Sequence, residues 1–222
     1  MLYDKKYFQG RRSFFYSMGG YRDVGLYFDR LARWFRPHAP SGPLLDVGCA
    51  CGFLLSRFND GRTLCGCDVS QWAIDEATRR LPKARFAVID GDGRLPYADG
   101  QFRTVLCTDV LEHVAGDAQT RLLSEFARVL APGGQVCITT PNLNRFRRWV
   151  YRRADRMEAH VGMRHLQDWR RELARHGLGI TRHWTYLHAF LPGRFGSLWL
   201  PECAIVARRG EAAQARPGRR TV

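Results

Sequence analysis

The chain has 222 residues, of which 45% are hydrophobic and 25% charged, and a net charge of +14. That composition supports one folded domain with a buried core and excludes a chain that is disordered throughout. The first ten residues lack the apolar stretch of a secretory signal. The most apolar run, residues 44–55, is shorter than the roughly 20 residues of a membrane helix. We therefore predict a cytoplasmic protein that is soluble or touches a membrane from outside.

The predicted elements alternate between strands and helices in chain order. An aromatic, basic segment covers residues 1–37, with helical spacing of apolar residues from about 21 to 35. The pattern then predicts strands at 43–48, 63–69, 85–90, 103–108 and 135–139, separated by helices at 53–58, 70–80 (Ser70 as N-cap), 111–114 and 118–130 and by a turn at 131–134. An arginine-rich stretch, 143–179, precedes two last strands at about 180–188 and 199–207. Such alternation predicts a parallel sheet with helices on both faces.

The charge is unevenly distributed along this pattern. Residues 41–142 carry 12 acidic and 10 basic side chains, whereas residues 143–182 carry 4 acidic and 11 basic ones. Basic flanks around an acidic centre can attract an anionic substrate or surface. Solvated helix faces give the same pattern, and we favour that simpler interpretation.

Seven cysteines, an odd number, predict reduced thiols. Four of them form two Cys-x-Cys pairs, at 49/51 and 65/67, and four thiolates can hold zinc. The ligands of structural zinc are usually two to four residues apart on a turn, whereas Cys65 and Cys67 fall inside a predicted strand. We therefore favour small core residues over a zinc site.

Glycines and carboxylates follow three of the predicted strands. Ligands of such sheets bind beyond the carboxyl ends of the strands. Gly48 and Gly52 allow a sharp turn and a close approach to the backbone, and the helix that begins near Gly52 directs its amide groups to the same place. Asp68 can accept the hydroxyls of a ribose, and Asp92 can accept from the exocyclic amine of adenine. The sequence predicts a nucleotide-like ligand there.

These motifs resemble the class I S-adenosylmethionine-dependent methyltransferases. Residues 44–52, Leu-Leu-Asp-Val-Gly-Cys-Ala-Cys-Gly, are similar to the glycine-rich motif I of that family, and residues 91–102 to its Gly-Asp-Ala-x-x-Leu-Pro-Phe block. Residues 109–114 and 128–134 are similar to two further blocks in the same order and spacing. The resemblance is strong over about 40–142, extends weakly to 179, and is greatest to the small-molecule branch (methyltransferase type 11, quinone O-methyltransferases).

Two positions depart from the family pattern. Ala50 stands where the commonest loop has glycine, and its small side chain should still clear the ligand. Arg103 stands where aspartate is usual, at a position that is not expected to touch the cofactor. The spacing of Gly48 and Gly52 also departs from the Gly-x-Gly-x-x-Gly of dinucleotide-binding enzymes.

The resemblance implies a Rossmann-like α/β fold whose seven-stranded, mainly parallel sheet includes a late antiparallel strand. It implies S-adenosyl-L-methionine as cofactor and S-adenosyl-L-homocysteine as product. The resemblance also implies the cofactor-binding residues. At the amino-acid end these are Gly48, Cys49 and Gly52, with Asp46 organising the loop amides from below. Asp68 would hold the ribose, Val69 the adenine face, Asp92 and Gly93 the adenine edge, and Cys107 and Thr108 would lie beside the sulfonium.

Methyl transfer requires an acceptor aligned with the S–CH3 bond and excluded from water. A hydroxyl acceptor also benefits from a base. His113, after the fourth strand, is the first candidate, although a histidine bonded to the backbone at a helix start is an equally good interpretation. His160 is second and His165 third.

A metal site is a weaker hypothesis. Asp109, Glu112 and His113 share one helical face, and quinone O-methyltransferases have a similar Glu-x-x-Glu-His pattern, so Mg²⁺ could orient a diol-like acceptor there. The first position of the pattern is Asp109, whose side chain is shorter than that of glutamate and reaches less far toward an ion. We therefore predict no metal.

The segment 144–157 interleaves arginines with aromatic residues. We favour a lid helix with its apolar face inward and its arginines in water. A second interpretation is a basic amphipathic helix that makes peripheral contact with an anionic membrane or captures a lipid-linked acceptor. RNA binding is a third, but nothing in the sequence resembles a nucleic-acid module, so a nucleic-acid partner is disfavoured.

We therefore predict a single methyltransferase domain, 1–209, that methylates a small molecule, most simply on an oxygen of a sugar, natural-product or lipid-linked intermediate. Its parts are an N-terminal cap (1–37), a cofactor-binding core (41–142), an acceptor lid (143–179) and the last strands (180–207), followed by a disordered basic tail (210–222). The alternatives are a nicotinamide- or nucleotide-sugar-dependent Rossmann enzyme and a catalytically silent S-adenosylmethionine-binding partner subunit.

Overall fold

A seven-stranded sheet forms the centre of the structure, a computed structural model that describes residues 4–10, 21–187 and 200–210. The strand order is β3-β2-β1-β4-β5-β7-β6. The strands are, in chain order, β1 (Leu44–Val47), β2 (Leu64–Asp68), β3 (Arg85–Val88), β4 (Phe102–Thr108), β5 (Leu130–Pro141), β6 (Leu178–Tyr186) and β7 (Glu202–Arg209). Only β7 runs antiparallel to both of its neighbours, β5 and β6. The predicted fold, including the late antiparallel strand, is confirmed.

Helices cover both faces of this sheet. They are α1 (Lys5–Phe8), α2 (Gly25–Phe35), α3 (Phe53–Ser56), α4 (Gln71–Arg80), α5 (Gly116–Val129), α6 (Arg145–Val150), α7 (Arg152–Met157) and α8 (Leu166–Arg175), with short 3-10 turns at Arg36–His38 and Leu111–His113. Ser70 caps α4 as predicted, because its hydroxyl accepts a hydrogen bond from the Ala73 amide at 3.3 Å.

The core consists of two apolar layers, one on each face of the sheet. Strands β1 and β2 are buried along their whole length, which explains why the sequence gives continuous apolar runs there instead of an alternating pattern. Helix α5 buries Leu122, Phe126 and Val129, spaced four and three residues apart, against one layer. Helix α2 buries Phe28, Leu31 and Phe35 against the other layer.

Two predicted boundaries are wrong. Helix α2 begins at Gly25, four residues after the predicted start. The predicted turn at 131–134 lies inside β5, where Leu130 pairs with Phe102 and Gln135 pairs with Thr104. The four residues between these pairs therefore form an irregularity within one strand, which the left-handed backbone of Gly133 (φ +72°) makes possible.

The predicted lid helix is also wrong in its details. Residues 144–157 form two short helices, α6 and α7, which are interrupted at Tyr151. Arg147, which we expected in water, is 1% exposed, and the apolar side chains of these helices do not face inward.

Two predictions concern residues beyond the described part of the chain. The disordered tail at 210–222 lies, except for residue 210, outside the described residues, as do residues 188 and 199 at the ends of the last two predicted strands. Among the helices that the structure describes, none is long and apolar enough to cross a membrane.

Candidate active site

A cavity of about 600 Å³ lies at the carboxyl ends of the parallel strands. The residues that follow β1, β2 and β4 line it, namely Gly48, Val69 and Asp109. Its volume is within the range of small-molecule sites, and its position is where a sheet of this topology binds ligands.

Two buried aspartates, Asp46 and Asp68, line the cavity. Burial and the neighbouring Asp68 raise the pKa of Asp46 to about 8. Burial also raises the pKa of Asp68, although backbone amides oppose the shift. The Oδ1 atom of Asp46 is buried and has no hydrogen-bond partner among the described residues, so it suits a cationic or hydroxyl-bearing ligand.

The glycine-rich loop is held by β2 and not by Asp46. The amides of Gly48 and Cys49 both donate to the carbonyl of Cys67, at 2.8 and 3.0 Å. The Ala50 amide donates to Asp68 Oδ2 at 2.9 Å. The prediction that Asp46 organises the loop amides is therefore wrong, because the neighbouring strand already satisfies them.

Two glycines in the cavity wall admit no side chain. Gly48 has φ +73°, and a Cβ atom there would lie 2.2 Å from Val110 Cγ2. Gly93 has φ +89°, and a Cβ atom there would lie 2.2 Å from the carbonyl oxygen of Ala118. Both positions thus require glycine for close backbone approach.

The structure brings seven of the predicted cofactor residues into one wall and leaves three outside it. The lining includes Asp46, Gly48, Cys49, Asp68, Val69, Gly93 and Thr108. Gly52 instead caps α3 in the left-handed conformation, and Cys107 is buried in the core. The side chain of Asp92 is 46% exposed and accepts from the Arg94 amide.

Two histidines, His113 and His160, also line the cavity. The ring centroids of His113 and His160 are 4.8 Å apart. Burial, with a smaller contribution from His160, lowers the pKa of His113 to about 4, so this imidazole is neutral at pH 7. The third candidate, His165, instead caps α8, where its Nδ1 accepts from the Gln167 amide.

A carboxylate orients His160. The distance between His160 Nδ1 and Asp155 Oδ1 is 2.9 Å, and the His160 side chain is 6% exposed. Burial would raise the pKa of Asp155, but hydrogen bonds from His160 and Arg147 lower it overall. Because the ionised carboxylate only accepts, His160 donates from Nδ1 and keeps Nε2 as a proton acceptor.

Arg147 connects this pair to the sheet. Its guanidinium binds Asp155 through two nitrogens, at 2.6 and 3.2 Å, and its Nη1 donates to Glu202 Oε1 at 2.6 Å. Burial raises the pKa of Glu202 to about 7 against the opposing effect of Arg147. Sequence reasoning missed this network because its partners are 8 and 55 residues apart and lie on elements whose contact no local pattern reveals.

One group in the described part of the chain has the ligand types of a metal site. The ligand atoms of Glu112, His113 and His160 lie within 4.8 Å of one another. Asp109, proposed from its helical spacing, is not in this group and accepts from Thr139 Oγ1 at 2.9 Å and from the Tyr27 hydroxyl. A 3-10 turn replaces the expected helix, so the shared face assumed from sequence does not form.

The N-terminal segment and the last strands complete the cavity. Tyr27 binds Asp109, and Tyr7 donates to Glu158 Oε2 at 3.1 Å. The sequence predicts a cap over the first 37 residues and marks these tyrosines only as part of its aromatic character. The further aromatic residues of this wall are Phe8, Tyr21, Phe28 and Tyr186.

Comparison with known proteins finds similarity over the central part of the chain. Residues 45–138 match the family model described as a methyltransferase domain. The chain is 31% identical over 119 residues to the ubiquinone biosynthesis O-methyltransferase of Thiobacillus denitrificans, with 50% of each protein covered. It is 31% identical over 110 residues to a Mus musculus protein named as a probable tRNA methyltransferase 9B, covering 49% of this chain and 24% of that protein. The chain thus spans half or less of the length of these relatives.

Solved structures share the fold. The geranyl diphosphate C-methyltransferase of Streptomyces coelicolor, in complex with Mg²⁺, geranyl diphosphate and S-adenosyl-L-homocysteine, aligns with a TM-score of 0.65 at 17% identity, covering 82% of this chain and 78% of that one. At this identity the likeness concerns the architecture alone.

Proposed function

We propose that the chain, whose residues 45–138 match the family model described as a methyltransferase domain, transfers the methyl group of S-adenosyl-L-methionine to a hydroxyl of a small molecule. The cofactor supplies an activated methyl group, so the protein has to bind, align and exclude water. Asp46, with its buried and unpartnered Oδ1, fits the ammonium of the cofactor, and Asp68 fits its ribose. Val69 offers an apolar surface for the adenine.

The observation that carries the proposal is the orientation of His160 by Asp155. His160 lines the cavity beside neutral His113, and its bond to Asp155 engages Nδ1 and not Nε2. A base in this position removes the proton of a hydroxyl as its oxygen attacks, and the Asp155 carboxylate stabilises the imidazolium that forms.

The charges of the cavity favour a neutral, hydroxyl-rich acceptor. Six carboxyl groups line it, against the arginines Arg22 and Arg147, and Arg147 is already bound to Asp155 and Glu202. Burial raises the pKa of Asp46 to about 8 and that of Glu202 to about 7, so part of this set carries protons near neutral pH. Such a set suits hydroxyl groups, which both donate and accept hydrogen bonds. Aromatic side chains of the N-terminal segment supply an apolar wall, which suits the ring of a sugar or a phenol.

The test uses S-adenosyl-L-methionine with a ¹³C-labelled methyl group and the small-molecule fraction of an extract of the source cells. The chemical shift of the labelled carbon in the product separates O-methyl from N-methyl and C-methyl groups. The proposal expects an O-methyl product from wild type and little or none from His160→Gln. His183→Gln, an exposed histidine on β6 outside the cavity, is the matched control and should keep full activity.

An N-methyl or C-methyl product would contradict the proposed acceptor. Cofactor binding without transfer to any component of the extract would favour the silent partner subunit instead. Equal loss in both histidine variants would show that the effect is not specific to His160.

A further inference from the structure

Helices α6 and α7 bury charged side chains and expose apolar ones, which is the opposite of an ordinary pair of surface helices. The side chains that they bury are Arg147 and Asp155, which bind each other. Their large apolar side chains point outward, and Trp149 is 83% exposed. The other exposed apolar residues of this segment are Phe146, Val150, Met157 and Val161. A helix in water buries its apolar face, so this face lacks the environment that its composition suits.

The same face carries cations that lack acidic partners. The side chains of five exposed arginines form no hydrogen bond or ion pair with the residues that the structure describes, namely Arg145, Arg148, Arg152, Arg153 and Arg156. By contrast, Arg171 and Arg175 on α8 each have an acidic partner one turn away. The positive charge of the α6–α7 face is therefore available to an external anion.

We propose that the α6–α7 face, residues 145–161, docks on an anionic lipid bilayer. Arginines attract the negatively charged headgroups, and a tryptophan flanked by aliphatic side chains inserts at the boundary between headgroups and acyl chains. The buried pair of Arg147 and Asp155 fixes the face in its outward orientation. The proposal does not depend on the methyl acceptor, because it concerns the exterior of these helices.

The aliphatic side chains favour a bilayer over RNA. Arginines and a tryptophan could equally contact phosphates and stack on bases. Val150, Met157 and Val161 have no such use, since they neither stack nor form hydrogen bonds. They gain free energy by leaving water for an acyl environment.

The face also adjoins the proposed active site. A second, open concavity of about 910 Å³ lies among Arg145, Trp149 and Arg156. His160 lines both this concavity and the first cavity. Docking therefore brings the bilayer surface next to the wall that holds the proposed base.

The test is cosedimentation of the full chain with vesicles of phosphatidylcholine, with and without phosphatidylglycerol. The proposal expects binding only to the vesicles that contain phosphatidylglycerol. An arginine near an anionic surface contributes a factor of about five in affinity, so Arg148→Gln/Arg152→Gln should weaken binding roughly thirtyfold. Trp149→Ala should weaken it at unchanged charge. The pair Arg171→Gln/Arg175→Gln removes the same charge from α8 and should have a much smaller effect.

The matched pair is needed because a chain of net charge +14 attracts any anionic surface. Equal weakening by the two pairs would assign binding to general charge and overturn the proposal. Absence of binding to phosphatidylglycerol vesicles would do so directly. Binding of tRNA that depends on Arg148 and Arg152, without vesicle binding, would assign the face to nucleic acid instead.

Discussion

At the scale of single residues, the assignment of His160 as a base gives the first prediction. His160→Gln keeps the approximate shape of the side chain and removes its basic nitrogen, so kcat should fall by roughly 10²-fold or more. The affinity for S-adenosyl-L-methionine should stay within about twofold, because His160 is not among the residues proposed to hold the cofactor. Steady-state kinetics and calorimetric titration measure the two quantities, and a parallel loss of both would contradict the assignment.

Asp46 gives a prediction of pH dependence. Burial and Asp68 raise its pKa to about 8, and only the ionised carboxylate can pair with the ammonium of the cofactor. Affinity for S-adenosyl-L-methionine should therefore rise by up to about tenfold per pH unit below pH 8 and level off above it. Asp46→Asn removes the titrating carboxyl group, so the affinity of the variant should lack this dependence on pH. The ratio of wild-type to variant affinity should therefore increase as the pH rises toward 8. A ratio that does not change between about pH 6 and 9 would contradict the pairing.

The residues near the glycine-rich loop were predictable because short, ordered motifs fix their neighbours. Asp68 follows a buried strand, and its position at the loop follows from the parallel pairing of β1 and β2. Asp155 and Glu202 were not predictable as a pair around Arg147, because long-range ion pairs leave no periodic signal. The family motif implies that Cys107 lies beside the sulfonium, but the alternation of side chains along β4 turns Cys107 into the core.

At the scale of elements, Arg147 anchors α6 and α7 to β7. Its removal leaves Asp155 and Glu202 buried without their cation, so Arg147→Met should lower the free energy of unfolding by about 3–5 kcal/mol. Arg148→Gln, an exposed neighbour, should change it by no more than about 0.5 kcal/mol. Denaturant titration monitored by circular dichroism compares the two, and equal stabilities would contradict the anchoring role.

The elements also show where pattern reasoning loses accuracy. Strands β1 and β2 and helix α4 lie close to their predicted bounds, because apolar runs and the Ser70 cap define them. The sequence predicts one helix over residues 144–157 with an apolar inner face, since arginines are normally solvated. Buried carboxylates on α7 and β7 reverse that preference, and the reversal is visible only when the elements are packed together.

At the scale of the whole molecule, the charge pattern separates into two parts with different roles. Six acidic side chains and two arginines line the cavity, whereas the excess of arginines lies on flanking segments. The net charge alone therefore says little about the acceptor, because the exterior and the site have opposite character. Raising ionic strength should weaken attachment to an anionic surface while leaving the kinetics of a neutral acceptor nearly unchanged.

The central claim is that this cavity binds S-adenosyl-L-methionine through Asp68, and calorimetric titration of the purified full chain tests it most directly. Wild type and Asp75→Asn, an exposed aspartate on α4, should bind with equal affinity. Asp68→Asn should bind roughly tenfold to a hundredfold more weakly, as expected for loss of a charge-assisted hydrogen bond. Equal binding by all three, or binding of NADH in place of S-adenosyl-L-methionine, would contradict the account.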